Sequence, residues 1–216
     1  DTRDLHSFPT RRSSDLLGQC ACRHSQELYR EWLRQRFVTI EALNDFYGKA
    51  WQSFETITPP TAPWDYAQMH LWRTWATERV AAHVRLVYDA IKTADPEAFV
   101  MTHVGMCSVF QDAACDASDD LLNAAQVDRY GTSFPVSLAP ASPGGFAGAD
   151  LVSDWLRRVD PHYWCQEIYA NHGEWSRPPV PATMRRMLWQ AVAGGAIGIT
   201  FWQWRSERAE IGRAHV

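Results

Sequence analysis

"ADLVSDWLRRVDPHYWCQEIY" (residues 149–169) is the stretch on which the fold turns. Its first half reads as an amphipathic helix, and a proline then separates it from "YWCQEIY", an aromatic, strand-like run that carries one carboxylate, Glu167, near its end. The same order recurs on both sides. Upstream, "WDYAQMHLWRTWATERVAAHVRLVYDAIKTAD" (64–95) reads as a long helix that Pro96 stops, and "AFVMTHVG" (98–105) is a short apolar strand. The helix-like acidic segment "CDASDDLLNA" (115–124) leads into "AAQVDRYG" (124–131), read as a second strand. Downstream, "RPPVPATMRRMLWQAVAGG" (177–195) has prolines suited to a helix entry and glycines at its exit, and "AIGITFWQW" (196–204) follows as a fourth strand.

Apolar strands alternating with amphipathic helices predict parallel strands covered by helices, as a doubly wound sheet or a (β/α) barrel. No glycine-rich phosphate loop follows any of the four strands, which weakens the nucleotide-binding version. Each strand instead carries a functional-looking side chain toward its C-terminal end: His103, Tyr130, Glu167, and Trp204 with Arg205. In a barrel that end is where active sites are built. The barrel therefore accounts for residues that the sheet leaves as coincidence.

Ahead of this alternation, "SQELYREWLRQRF" (25–37) places Leu28, Trp32 and Leu33 at helical spacing, and Thr39 can cap a second helix that ends at Gly48. The proline-rich loop "ITPPTAP" (57–63) closes that region. Over its 216 residues the chain is 46% hydrophobic and 21% charged, the balance of a globular protein with one sizeable core or part of a larger one. It has no apolar run long enough to span a membrane. A formal charge of -4 with interspersed signs leaves no basic stripe for nucleic acid. Five cysteines at irregular spacing do not suggest a disulfide scaffold and favour a reducing compartment, with a bacterial cytoplasm expected and export left open.

Both ends read as something other than natural sequence. A nucleotide string resembling a common sequencing-library adapter translates to His6 through Leu16, and one resembling the opposite adapter translates to Glu210 through Val216. Residues 1–16 and 210–216 are therefore set aside, leaving 17–209 as the expected natural segment of a gene cut on both sides.

Glu167 at a strand exit among aromatics has the setting of a carboxylate nucleophile against a sugar's anomeric carbon, and competes with a glutamate that merely pairs with an arginine. Trp175, eight positions on, suits a platform for a pyranose ring or a loop anchor. The eleven tryptophans could serve as sugar platforms, but on counting alone the core reading is favoured. His103 reads first as a rim or core histidine and only second as a ligand. Cys20, Cys22 and nearby His24 hint at zinc, but Ser25 stands where one more cysteine would complete the ligand set, which argues against intact metal binding. Asp112, Asp116, Asp119 and Asp120 miss the spacing of a calcium loop and read as a solvated helix start. Arg205 and Glu207 suit an ion pair at the rim.

"CACRHSQELYREWLRQRFVTIEALNDFYGKAWQSFETITPP" (20–60) resembles a segment of glycoside hydrolase family 42 β-galactosidases. "VPATMRRMLWQAVAGGAIGITFWQWRSER" (180–208) resembles that family's P-G-x-M-R, A-x-G-A-x-G-I and W-Q-W-R-P-E-R blocks. The resemblance implies a (β/α)8 TIM barrel, of which this chain would hold roughly strands 5 to 8, the C-terminal half. It also implies retaining hydrolysis of terminal β-D-galactosides, or oligosaccharides bearing them, with no required cofactor and a homotrimer in the intact protein. By position, Glu167 matches the family's nucleophile and Trp175 a tryptophan lining the galactose pocket. Phe134, before Pro135, falls where many members have tyrosine, and Tyr130, His103, Trp204 and Arg205 complete the expected substrate contacts. The family's acid/base glutamate lies upstream of the Cys20 block, in the region read here as adapter. The chain alone is therefore expected to be inactive. Another retaining β-glycosidase of the same clan and a non-catalytic carbohydrate-binding relative stand as alternatives.

Overall fold

The structure is a computed structural model that describes residues 21–60, 64–104, 108, 117–134, 145–169 and 181–202. The chain divides into two compact units, residues 1–80 with 113–117, and residues 81–112 with 118–216. Among the described residues no helix is long and apolar enough to cross a membrane.

In the first unit, helix α1 (Arg23–Phe37) turns into α2 (Ile40–Tyr47) through Val38 and Thr39. The Thr39 hydroxyl accepts from the Ala42 amide at 3.2 Å, and Gly48 closes α2 at φ 61°, a left-handed conformation that costs glycine little. A 3-10 turn (Phe54–Thr56) and the first part of the 29-residue helix α3 (Tyr66–Ala94) complete the unit. Tyr29 anchors its core, edge-on to Trp72 at 4.9 Å and to Trp75 at 5.5 Å, above Leu33, Leu43 and Ile57. These two tryptophans are therefore core side chains.

The second unit contains strands β1 (Met101–Val104), β2 (Arg129–Phe134), β3 (Trp164–Tyr169) and β4 (Gly198–Trp202), with helices α4 (Asp120–Ala124), α5 (Gly145–Val159) and α6 (Pro181–Ala193) between them. The strands form one parallel sheet in the order β1-β2-β3-β4. A doubly wound sheet reverses its strand order at a switch point; a sheet that steps one way, strand after strand, is an arc of a barrel. Tyr163, Cys165 and Ile168 share a buried cluster with Ala149, Val152 and Leu156 of α5 and Met187 and Ala191 of α6. That cluster is the layer between sheet and helices.

Two junctions repeat one device. Asp128, just before β2, accepts from the Val100 amide at 2.9 Å, and Asp160, before β3, accepts from the Tyr130 amide at 3.0 Å, so each carboxylate fastens the start of the preceding strand. Lys92, at 2.8 Å, holds the Asp128 carboxyl down at about 2, helped by the Val100 amide and the Tyr88 hydroxyl. A carboxyl depressed on folding adds stability that is present above its ordinary range and is lost as pH falls through its folded value. Asp128→Asn is therefore expected to flatten the loss of stability between about pH 4 and about pH 2, measured as urea midpoints across that window.

The second strand begins later than the 124–131 expected from sequence. Asp119 caps α4 by accepting from the Leu122 amide at 2.9 Å, and Ala124 and Val127 pack on the helix-side core as the end of that helix and its exit turn. The strand instead extends to Phe134, which brings Ser133 into the sheet.

Candidate active site

Strand parity alone would send Tyr163, Cys165 and Glu167 to one face, and the first two are buried against the helices. A bulge changes the count. Between β2 and β3, Thr132 pairs with Cys165 but Ser133 pairs with Glu167; between β3 and β4, Cys165 pairs with Ile199 but Ile168 with Phe201. Strand β3 thus holds one residue more than either neighbour around Gln166. Ile168 takes the helix-side place that Glu167 would have filled, and Glu167 turns to the opposite face. The Thr200 hydroxyl donates to the Gln166 carbonyl at the bulge.

On that face the Ser133 hydroxyl donates to Glu167 Oε2, and His103 Nε2 lies 3.5 Å from the same oxygen. The Glu167 side chain is 15% exposed and the His103 side chain 40%, so the carboxylate is the more enclosed of the two. Below it the face is closely filled. A Cβ on Gly131 would meet the Trp164 carbonyl at 2.5 Å and Gln166 Cγ at 2.8 Å, and one on Gly198 would meet the Trp164 ring at 2.2 Å. Only hydrogen fits at either position. These glycines let Gln166 and Trp164 lie flat against the neighbouring strands.

Of the residues expected at the site, the structure brings together Glu167 and His103. Tyr130 requires a correction. It is fully buried, sits at the second position of β2, and donates its hydroxyl to Asp120 Oδ1 at 2.8 Å, so it belongs to the helix-side core and not to a sugar-binding face. Asp120 corrects the picture of a solvated helix start: it is fully buried and also accepts from Trp155 Nε1 at 2.6 Å and from the Ser108 amide at 2.8 Å. Phe134 lies at the end of β2, with a side chain outside the described residues, as are Trp175, Trp204, Arg205, Glu207, Asp112, Asp116 and Cys20. Cys22 is exposed, with its Sγ 3.4 Å from the Ser25 hydroxyl. A hydroxyl is a poor substitute for a thiolate on zinc, and no group of three His, Cys, Asp or Glu stands together among the described residues, which leave out Cys20. Ser133 was not singled out in the sequence. Its signal was its place opposite Glu167 in the sheet, on the same parity as Gly131.

Residues 14–216 match the model of glycoside hydrolase family 42, described as beta-galactosidase. The β-galactosidase of Thermus thermophilus is 29% identical over 208 residues, an alignment covering 87% of this chain and 32% of that protein. The β-galactosidase of Halorubrum lacusprofundi is 30% identical over 206 residues, covering 87% and 29%. The solved structure of the Halorubrum lacusprofundi enzyme superposes with a TM-score of 0.75 at 22% identity, over 87% of this chain and 30% of that one, and its fold agrees with a partial (β/α)8 barrel. The chain spans about a third of the length of the curated relatives it matches. With the family model matched along nearly the whole sequence and the parallel α/β arc in place, the chain belongs to glycoside hydrolase family 42.

Proposed function

We propose that this chain carries the nucleophile half of a retaining β-galactosidase site, with Glu167 as the residue that attacks the anomeric carbon. The observation that carries the reading is the bulge in β3, which turns a carboxylate away from an apolar layer and onto the face where Ser133 and His103 meet it. Bulges recur where a strand must re-aim one side chain next to an active site. Membership of a β-galactosidase family supports a β-galactoside as the substrate class.

In this mechanism one Glu167 oxygen attacks the anomeric carbon, the glycosidic bond breaks, and an α-linked galactosyl ester forms on the enzyme; water then releases galactose with net retention. Retention needs a second carboxyl about 5 to 5.5 Å away that protonates the leaving oxygen and later deprotonates water. The groups that the described residues bring to Glu167 are a hydroxyl and an imidazole, so in this proposal the proton donor comes from elsewhere in the enzyme.

A leaving group that needs no proton isolates the part of the reaction assigned to this chain. With 2,4-dinitrophenyl 2-deoxy-2-fluoro-β-D-galactoside, dinitrophenolate departs unassisted, and the fluorine slows breakdown of the ester. Peptide mass spectrometry is expected to find the fluorogalactosyl group on Glu167 and no adduct in Glu167→Gln. Labelling of a different residue, or equal labelling of both proteins, would remove the nucleophile assignment.

A further inference from the structure

The contacts to Glu167 are unequal on its two oxygens. Ser133 and His103 both address Oε2, and no described residue hydrogen-bonds or ion-pairs with Oε1. Ser133 is 2% exposed, so its hydroxyl has almost no access to solvent and is committed to the protein. Backbone pairing of Ser133 with Glu167 across β2 and β3 fixes the separation of the two side chains through the sheet and not through a loop. His103, on β1, stands at 3.5 Å, beyond good hydrogen-bond length, and flanks the contact without replacing it.

Resting on the nucleophile reading above, we propose that Ser133 is a positioning residue that holds Oε2 of Glu167, leaves Oε1 as the attacking oxygen, and favours departure of the carboxylate when the galactosyl ester breaks. The direction of the effect follows from where charge resides. In the free site the carboxylate is an anion, and a hydroxyl hydrogen-bonded to it stabilises it. As Oε1 bonds to the anomeric carbon and the aryl oxygen leaves with its electron pair, charge drains from the carboxylate and the Ser133 bond weakens. This bond gives attack no electrostatic advantage. When the ester later breaks, the electron pair of the C1–Oε1 bond returns to the carboxylate, negative charge grows on Oε2, and the Ser133 bond strengthens toward the transition state. Ser133 therefore acts mainly on release, a split between the two half-reactions that simple packing would not produce.

The experiment uses the full chain and the fluorogalactoside described above, following appearance of the adduct on Glu167 and then its removal by azide. Azide is an anion that needs no general base: its nitrogen bonds to C1 as the C1–Oε1 bond breaks, and the pair returns to Glu167. Ser133→Ala is expected to label at a rate within about threefold of the unsubstituted chain but to release the sugar about tenfold more slowly. Ser133→Cys, with a weaker donor in the same place, is expected to fall between them, and it carries the test if the alanine variant does not fold. Release at the unsubstituted rate in Ser133→Ala, or labelling and release that fall in equal proportion, overturns the assignment of Ser133 while Glu167 stands. Absence of any adduct on Glu167 in the unsubstituted chain refutes the nucleophile reading instead, and the role of Ser133 falls with it.

Discussion

Glu167→Gly is expected to lose at least about a thousandfold in the rate of dinitrophenolate release from 2,4-dinitrophenyl β-D-galactoside, whose leaving group departs without acid assistance, and to regain it when azide is added. The loss follows from removing the only protein group that, in the proposed mechanism, forms a bond to the anomeric carbon. The rescue follows from geometry. In the proposed mechanism Glu167 attacks from the side opposite the departing aryl group, and deleting its side chain would leave a space beside Ser133 and His103 for a small linear anion. Attack from that side inverts the centre and yields α-galactosyl azide. In the unsubstituted protein azide meets an α-linked ester from the other side and yields the β-azide. Product stereochemistry thus reports which face each nucleophile used, independently of rate. An azide product of β configuration from Glu167→Gly, or undiminished turnover without azide, would show that the bond-forming group lies elsewhere.

The second large effect concerns stability. Asp120 is fully buried, accepting from Tyr130 Oη on one oxygen and from Trp155 Nε1, the Ser108 amide and the Ser108 hydroxyl on the other. Asp120→Ala leaves these donors without their acceptor in a space too enclosed for full solvation, at a cost of about 3–5 kcal/mol. Against a typical total of roughly 5–15 kcal/mol, this is enough to unfold a sizeable fraction of the molecules. Asp120→Asn is expected to cost about 1–2 kcal/mol. The indole and the amide can only donate, so the asparagine oxygen must face them and its NH2 must face Tyr130, whose hydroxyl can turn to accept. Urea midpoints of the two variants test the ranking, and an alanine variant within about 1 kcal/mol of the unsubstituted chain would contradict it.

The parts of this fold legible from sequence are those set by local period. The helix over 25–37, the Thr39 cap, the Gly48 stop and the strand containing Glu167 all follow from side-chain spacing and capping chemistry, and the structure has each of them. What sequence alone did not show is decided by neighbours. Tyr130 has the appearance of a strand-end aromatic, yet its face is set by register with Thr102 and by the buried acceptor that Asp120 offers it. Asp120 in turn looks like one of several acids at a helix start, because nothing local reveals that Trp155, 35 positions later, donates to it. Ser133 is inconspicuous until the pairing with Glu167 is known. Glu167 itself was identified from its position at the strand exit, but the bulge that aims it exists only in the hydrogen-bond register with β2 and β4.

That bulge means that β3 has something like a reading frame. Substituting Gln166 keeps the number of residues and so keeps Glu167 on the open face. A regular strand with the same number of residues would instead place the carboxylate among Leu156, Met187 and Ala191, where an unpaired charge costs several kcal/mol. Deleting Gln166, by contrast, takes out the extra residue itself and leaves Glu167 opposite Ser133. The face that the proposed nucleophile takes is thus set by a count, the one residue that β3 holds in excess of its neighbours. A shortened strand and a bulged strand both present Glu167 to Ser133, while a regular strand of the present length would not.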